Sequence, residues 1–357
     1  MTVTNATPAW KQADFAWQKA IAPYARPSLR ASLIQIATSL IPYLVLWGAM
    51  IWAYNVSPLL TLGLTVLAAG SLVRIFIIVH DCGHESFFKS QRLNDIVGSI
   101  LGTLVFTPYY EWRHAHAIHH ATAGNLNRRG VGDVFMLTVK EYNGKSFWGR
   151  LGYRLYRNPF IMFGIGPLFM FMIVHRFPSR NSRPRERNSV WLTNLAILGY
   201  STAMSLLIGF ERYAVLMVLT MGIAGVAGVW MFYVQHQFEG TYWEPQAEWS
   251  YVEAALRGSS YYKLPKILQW FTGNIGLHHI HHLSPRIPNY NLQACHDSNP
   301  PLQDVPTITL WPSFKSMAFK LWDEDNHRLV GFSAAQQLSR EQKKLAMTSR
   351  VVQETSS

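Results

Sequence analysis

The sequence predicts an all-α, polytopic membrane protein with four transmembrane helices in two hairpins and a cytoplasmic helical cap. Three observations carry this reading. Residues 31–73, 190–210 and 213–238 contain no Lys, Arg, Asp or Glu, although 15% of the whole chain is charged. Each helical crossing of a bilayer core needs about 20 apolar residues, whereas a soluble helix of that length shows a polar face at every turn. Basic residues flank these segments, and ten of the 14 histidines fall in three short windows.

The apolar block 31–79 is too long for one helix and is interrupted at Tyr54, Asn55, Val56, Ser57 and Pro58, which reads as the turn of a first hairpin. A second pair runs from Val190 to Phe210 and from Tyr213 to about Tyr233, with Glu211 and Arg212 expected at the turn. Two shorter uncharged stretches, Ile96–Tyr110 and Pro159–Val174, fall short of a crossing and read as interfacial or re-entrant helices. Phe314, Met317, Ala318 and Leu321 recur at helical spacing, so an amphipathic helix is expected there. The chain is then one domain. It comprises an N-terminal cytoplasmic segment (1–29), a first hairpin (30–80), cap (81–189), a second hairpin (190–236), cap (237–333) and a loose polar tail (334–357).

The formal net charge of +12 raises the question of nucleic acid in a soluble protein. Here Arg176, Arg180, Arg183, Arg185 and Arg187 lie between two apolar segments, where the cytoplasmic bias of Lys and Arg explains them, so no nucleic-acid partner is expected. That bias places both termini and the cap in the cytoplasm. Two cysteines, Cys82 and Cys295, support neither a disulfide framework nor a cysteine zinc site. The first residues lack the short charged-then-apolar pattern of a cleaved signal peptide.

The histidine windows carry the chemistry. They are His80-Asp81-Cys82-Gly83-His84, then Trp112 to His120 with His114, His116, His119 and His120, then His278-His279-Ile280-His281-His282. Helical residues three and four apart share a face. His80 with His84, His116 with His119 and His120, and His278 with His281 and His282 therefore present imidazoles in one direction, while His114 and His279 fall off those faces. Imidazole is a ligand for iron, zinc, copper or nickel. Eight in-phase histidines exceed the needs of one ion, so two metals are expected, with His236 at the end of the fourth span as a ninth ligand. The HExxH pattern of zinc hydrolases is absent, because Phe88 stands where its second histidine would be. A metal transporter would place ligands inside its spans, often with carboxylates.

These spacings, in this order, resemble the histidine boxes of the membrane fatty acid desaturases. The resemblance runs from about residue 30 to 333 and includes Trp112-Arg113-x-x-His116-x-x-His119-His120 and Gly273-Asn-Ile-Gly-Leu-His278. Gly130–Asp133, Gln235–Glu239, Arg286–Tyr290 and Leu321–Asp325 look like the bacterial acyl-lipid branch related to the Δ12 enzymes. The resemblance implies a diiron centre held by His80, His84, His116, His119, His120, His236, His278, His281 and His282. It also implies dioxygen as co-substrate, an acyl lipid as substrate, and the bacterial inner membrane with the active site on its cytoplasmic side. Electrons would come from a separate carrier such as ferredoxin or a cytochrome, since no fused haem-binding HPGG sequence is present. One departure is Phe232, where acyl-CoA desaturases place an Asn four residues before the extra histidine.

Asp81 and Asn274 are the residues expected to orient ligand imidazoles by accepting their second N–H, with Glu85, Glu111, Asp133 and Glu239 as weaker choices. His175, His296 and His327 read as ordinary polar residues. A hydroxylase on the same scaffold, or a divalent-metal transporter, are the competing functions.

Overall fold

The computed structural model describes residues 9–11 and 16–337; the expected loose tail lies outside them from residue 338 onward. After a short helix α1 (Trp17–Ile21), the long helix α2 (Leu29–Ala53) begins where the Ser28 side chain accepts the Ala31 N–H. Residues 54–57 then turn the chain into α3 (Pro58–Gly83), which starts with proline at its first position and Ser57 as cap. Both choices suit a helix start, because the first N–H groups have no partner inside the helix.

The stretch Ile96–Tyr110 belongs to two helices, α4 (Gln91–Leu104) and α5 (Tyr109–Thr122). Leu93, Ile96 and Ile100 lie exposed along one side of α4, while Asn94, Leu101 and Gly102 are buried on the other. That face suits the bilayer surface. Gly98 is required where α5 meets α4, since a Cβ there would sit 2.3 Å from the Tyr109 ring. A strand β1 (Leu137–Thr138) and α6 (Val139–Gly144) lead to α7 (Phe147–Tyr156), a π-helical turn over Phe160–Ile165, and α8 (Gly166–Met172). The path through Pro159–Val174 is bent by 53° against α7.

The second long pair is α9 (Pro184–Ile208) and α10 (Phe210–His236). The expected turn at Glu211-Arg212 is corrected: the break is Gly209, with φ of +89°, a conformation that glycine alone adopts cheaply. Glu211 instead sits in the first turn of α10, where a carboxylate complements the helix dipole. Arg212 lies 5.4 Å from the Tyr54 ring in the other far-side connection.

The remaining elements are α11 (Tyr251–Arg257), β2 (Tyr261–Lys263), α12 (Lys266–Phe271), α13 (His278–Leu283), α14 (Asn289–Ser298), β3 (Thr307–Thr309), β4 (Leu321–Asp323) and β5 (Arg328–Val330). Strand β2 pairs parallel with β3, and β4 pairs with both β1 and β5. The helical fold class therefore stands, with two small sheets added. The amphipathic helix expected over Phe314–Leu321 is corrected: Pro312–Ala318 is 3-10 helix, and Leu321 and Trp322 are buried in β4. An i, i+3 apolar spacing also fits a three-residue turn.

Helices α2, α3, α9 and α10 are the ones, among the described residues, long and apolar enough to cross a membrane. More than half of the most apolar stretch of α3 is buried (56%) against 11% in α9, so α3 is the central helix. Trp47 and Met50 of α2, Leu72 and Ile75 of α3, and Leu216 and Met221 of α10 share one core. Outward faces carry Leu33, Leu44 and Trp52 on α2 and Leu192, Leu195 and Leu206 on α9. Inside, Ser39, Thr65 and Thr220 return their hydroxyls to the carbonyl one turn back. Apolar side chains outside and satisfied hydroxyls inside are what a hydrocarbon solvent demands.

Candidate metal centre

The ends of α3 and α10 converge with α5 and α13, and each supplies histidines. His80 lies in the last turn of α3 and His84 is its C-cap residue. Gly83 lets Trp112 approach, since a Cβ there would lie 3.0 Å from that ring, and Trp112 in turn stacks on His116 at 4.5 Å. Tyr109 donates its hydroxyl to the Cys82 carbonyl at 2.7 Å, which fixes α5 against the end of α3. Gln235 donates to the Ile275 carbonyl and Tyr251 to the His282 carbonyl, which seat α13 against α10 and α11.

All nine of the expected histidines come together, in two groups. His80, His84, His116, His120 and His281 form one, and His119, His236, His278 and His282 form the other, with one nitrogen from each ring of a group within 4.8 Å of those of its fellows. The groups adjoin. The His120 and His282 rings stack at 4.1 Å across the boundary. Within the second group the Nε2 atoms of His119 and His236 are 3.2 Å apart, and those of His236 and His278 are 3.0 Å apart.

Hydrogen-bond partners fix the proton positions of three rings. His80 Nδ1 faces Asp81 Oδ1 at 3.0 Å, His119 Nδ1 faces Asp133 Oδ1 at 2.9 Å, and His236 Nδ1 faces the Gly258 carbonyl at 3.0 Å. A carbonyl or carboxylate oxygen accepts, so each of these Nδ1 atoms carries the proton in the neutral ring and each Nε2 presents a lone pair. The Nε2 lone pairs of His119 and His236 consequently point at each other across 3.2 Å with no hydrogen between them. That arrangement is repulsive by itself and becomes favourable around a cation. The donor set fits a metal ion in each group.

Burial, followed by the charge of neighbouring imidazoles, holds His84, His116, His120, His278, His281 and His282 well below the usual imidazole range. These rings are neutral at pH 7, as metal ligation requires. Their folded-state values lie below the unfolded value of about 6.5, so the unfolded chain takes up protons first as pH falls. The stability they contribute is full above that value and is lost below it. Metal retained by dialysed protein is accordingly expected to be full above about pH 6.5 and to fall as the pH drops from there toward the depressed values of the buried rings, with a slope exceeding one proton per ion. Retention independent of pH contradicts this.

The orienting residues divide. Asp81 holds His80 and is itself held by the backbone N–H and side-chain amide of Asn289 at 2.6 and 2.8 Å. Asn274 lies just before α13 with φ of +58°, and its carbonyl accepts the Leu277 N–H; among the described residues its side chain bonds no histidine. Glu85 pairs with Arg113, Glu111 receives Ser179 and Ser182, and Glu239 is exposed. Asp133 reaches His119 across 14 residues of chain, and the Gly258 carbonyl had no signal in the sequence. Phe232 packs its ring 5.0 Å from His119 and 5.4 Å from His236. His114 stands apart, 41% exposed beside Glu186, and His279 is buried against Tyr261 and His296. His175 packs on Phe171, and His327 lies near Glu244.

Comparison with known proteins agrees with this geometry. The family model described as "Fatty acid desaturase" matches residues 56–311. A "Fatty acid desaturase" of Bacillus subtilis is 52% identical over 332 residues, which is 93% of this chain and 94% of that protein. An "sn-1 oleoyl-lipid 12-desaturase" of Synechocystis is 30% identical over 64% of this chain and 65% of its own length. An endoplasmic-reticulum "Omega-3 fatty acid desaturase" of Vigna radiata is 30% identical over 61% of this chain and 59% of its own length. With its apolar spans, its paired histidine groups and these relatives, the chain belongs to the fatty acid desaturase family, whose members are oxidoreductases.

Proposed function

We propose that the protein inserts a double bond into the acyl chain of a membrane lipid, using two irons, dioxygen and electrons from a separate carrier such as ferredoxin or a cytochrome. The observation that carries this is the pair of adjacent, buried, all-histidine groups at the inner ends of α3 and α10. His80, His84, His116, His120 and His281 are the ligands proposed for one iron, and His119, His236, His278 and His282 for the other. Breaking an unactivated alkyl C–H bond is beyond acid–base side chains, and iron supplies the electron-transfer and dioxygen chemistry it needs. In balance, the acyl chain gives up two hydrogens, the carrier gives two electrons and two protons are taken up, while one dioxygen becomes two waters.

The chain's own residues set the geometry. Asp81, Asp133 and the Gly258 carbonyl hold three imidazoles in the tautomer that presents Nε2 inward. Trp112 and Phe232 wall the histidines with aromatic surface, which keeps bulk water away from the ligands. A lipid-linked substrate is favoured by the Synechocystis relative, whose name specifies an oleoyl lipid. A transporter is disfavoured because the histidines gather at helix ends rather than inside the spans.

Expression in a host lacking the activity, followed by mass spectrometry of its lipids, tests the reading. Acyl chains that lose two hydrogens support it. Gain of one oxygen would make the protein a hydroxylase, and unchanged lipids under a working electron supply would overturn the proposal.

Orientation follows from the same geometry. Because α3 and α10 end at one site, the reading is four crossings in two hairpins, with the cap segments 81–189 and 237–333 on the side of the histidines. Arg180, Arg183 and Arg187 on that side favour the cytoplasmic face of a bacterial inner membrane. Cys82 and Cys295 are both buried and give little background to cysteine labelling. An Arg183→Cys variant is expected to resist an impermeant maleimide in intact cells and react once the membrane is opened; labelling in intact cells contradicts the orientation.

A further inference from the structure

Arg157 is fully buried at the C-cap of α7, just before the bend into the π-helical turn. Among the described residues no carboxylate pairs with it. Its Nη1 donates to the Phe135 carbonyl at 3.2 Å, while the two hydrogens of Nη2 are shared among three neutral oxygens, the Tyr233 hydroxyl at 3.1 Å, the Gln237 side chain at 3.1 Å and the Phe319 carbonyl at 2.9 Å. Lys320, also buried, donates to the Arg157 carbonyl at 2.8 Å and is pushed down to about 8 by burial and the Arg157 charge. The Arg157 Nε has no partner among the described residues, so the contacts of the two terminal nitrogens carry all the compensation that this buried cation receives.

The oxygens it gathers share a purpose. Gln237 follows His236, and Tyr233 lies one turn before Gln237 on the same helix end. Phe135 is two residues from Asp133, which holds the His119 ring. One planar fork thus ties together the two chain segments that aim His119 and His236, while Phe319 anchors both to the cap. Among the described residues no hydrogen bond links Arg157 to the segments that hold His80, His84 or His281.

We infer that Arg157 is a positioning residue dedicated to the second histidine group, acting through Gln237, Tyr233 and the 133–135 segment. This rests on the reading that each group holds one ion. Lysine keeps the charge but replaces the two terminal nitrogens with a single ammonium on a flexible stem, so it does not reach the Phe135 carbonyl and the Gln237, Tyr233 and Phe319 oxygens in one fixed geometry.

The test is anaerobic titration of metal-free, detergent-purified full chain with ferrous iron, counting ions per chain and the affinity of each, with elution profile and circular dichroism as folding controls. The wild type is expected to bind two ions. Arg157→Lys is expected to weaken one of them by about 10- to 100-fold, the range for loss of a ligand-orienting partner, and to leave the other unchanged. Gln237→Ala is expected to act in the same direction by a smaller factor. In a His236→Ala background, Arg157→Lys is expected to have no further effect, because both changes act on one group. Equal weakening of both ions, or no weakening, overturns the inference; if Arg157→Lys fails to fold, unchanged affinities in Gln237→Ala overturn it. A wild type that binds one ion overturns the two-group reading itself, and this inference with it.

Discussion

His281→Ala is expected to reduce lipid desaturation to background and to leave the protein folded in the membrane with one ion missing. His281 is the residue that α13 contributes to the first group. Its Nε2 lies 3.0 Å from that of His120, and its ring is 4.5 Å from His80 and 4.9 Å from His84. His116→Ala is expected to do the same, since its Nε2 is 3.2 Å from His120. His114→Ala is the control on the same helix: its ring is 41% exposed beside Glu186, so activity, iron content and stability stay within about 0.5 kcal/mol of wild type. His279→Ala retains iron and activity but lowers stability by about 1–3 kcal/mol, because a buried ring is lost against Tyr261 and His296. In-cell lipid analysis with metal counting on all four variants checks this set. Full activity of His281→Ala, or loss of all iron in His114→Ala, contradicts it.

His236→Ala is expected to have an effect of the same size through the other group. His236 Nε2 stands between those of His119 and His278, at 3.2 and 3.0 Å, so its removal leaves three imidazoles of four and opens the centre of the group. The fold loses a buried ring and its hydrogen bond to the Gly258 carbonyl, together worth about 1–3 kcal/mol. The variant is therefore expected to insert and fold, bind one ion tightly, and be inactive. Full activity would show that the group closes without a ligand from α10.

The spans were legible because charge is absent from them and because turn residues interrupt the first pair. Eight of the nine histidines were legible because i, i+3 and i, i+4 spacing puts them on shared faces, and His236, which has no partner in its own segment, was legible from its place at the end of the fourth span and from the family resemblance. Their division was not. On α5, His116 and His120 serve the first group and His119 the second; on α13, His278 and His282 serve the second and His281 the first. Helical phase groups the three on each helix together, and only the placement of α3 beside one group and α10 beside the other separates them. Asp81 was legible as the neighbour of His80. Asp133 was underweighted, since a 14-residue excursion from His119 carries no period, and the Gly258 carbonyl and the Arg157 fork had no local sign at all. The turn at Gly209 was overshadowed by the charged pair beside it, which helix α10 absorbs in its first turn. Strands of two and three residues are too short to display an alternating pattern, so the small sheets that anchor the cap stayed hidden.

The central claim is that two adjacent histidine groups each hold one iron. Elemental analysis of purified, catalytically active protein addresses it directly. The expected result is two irons per chain, falling to one in His236→Ala; one zinc and no iron in an active preparation would contradict the claim.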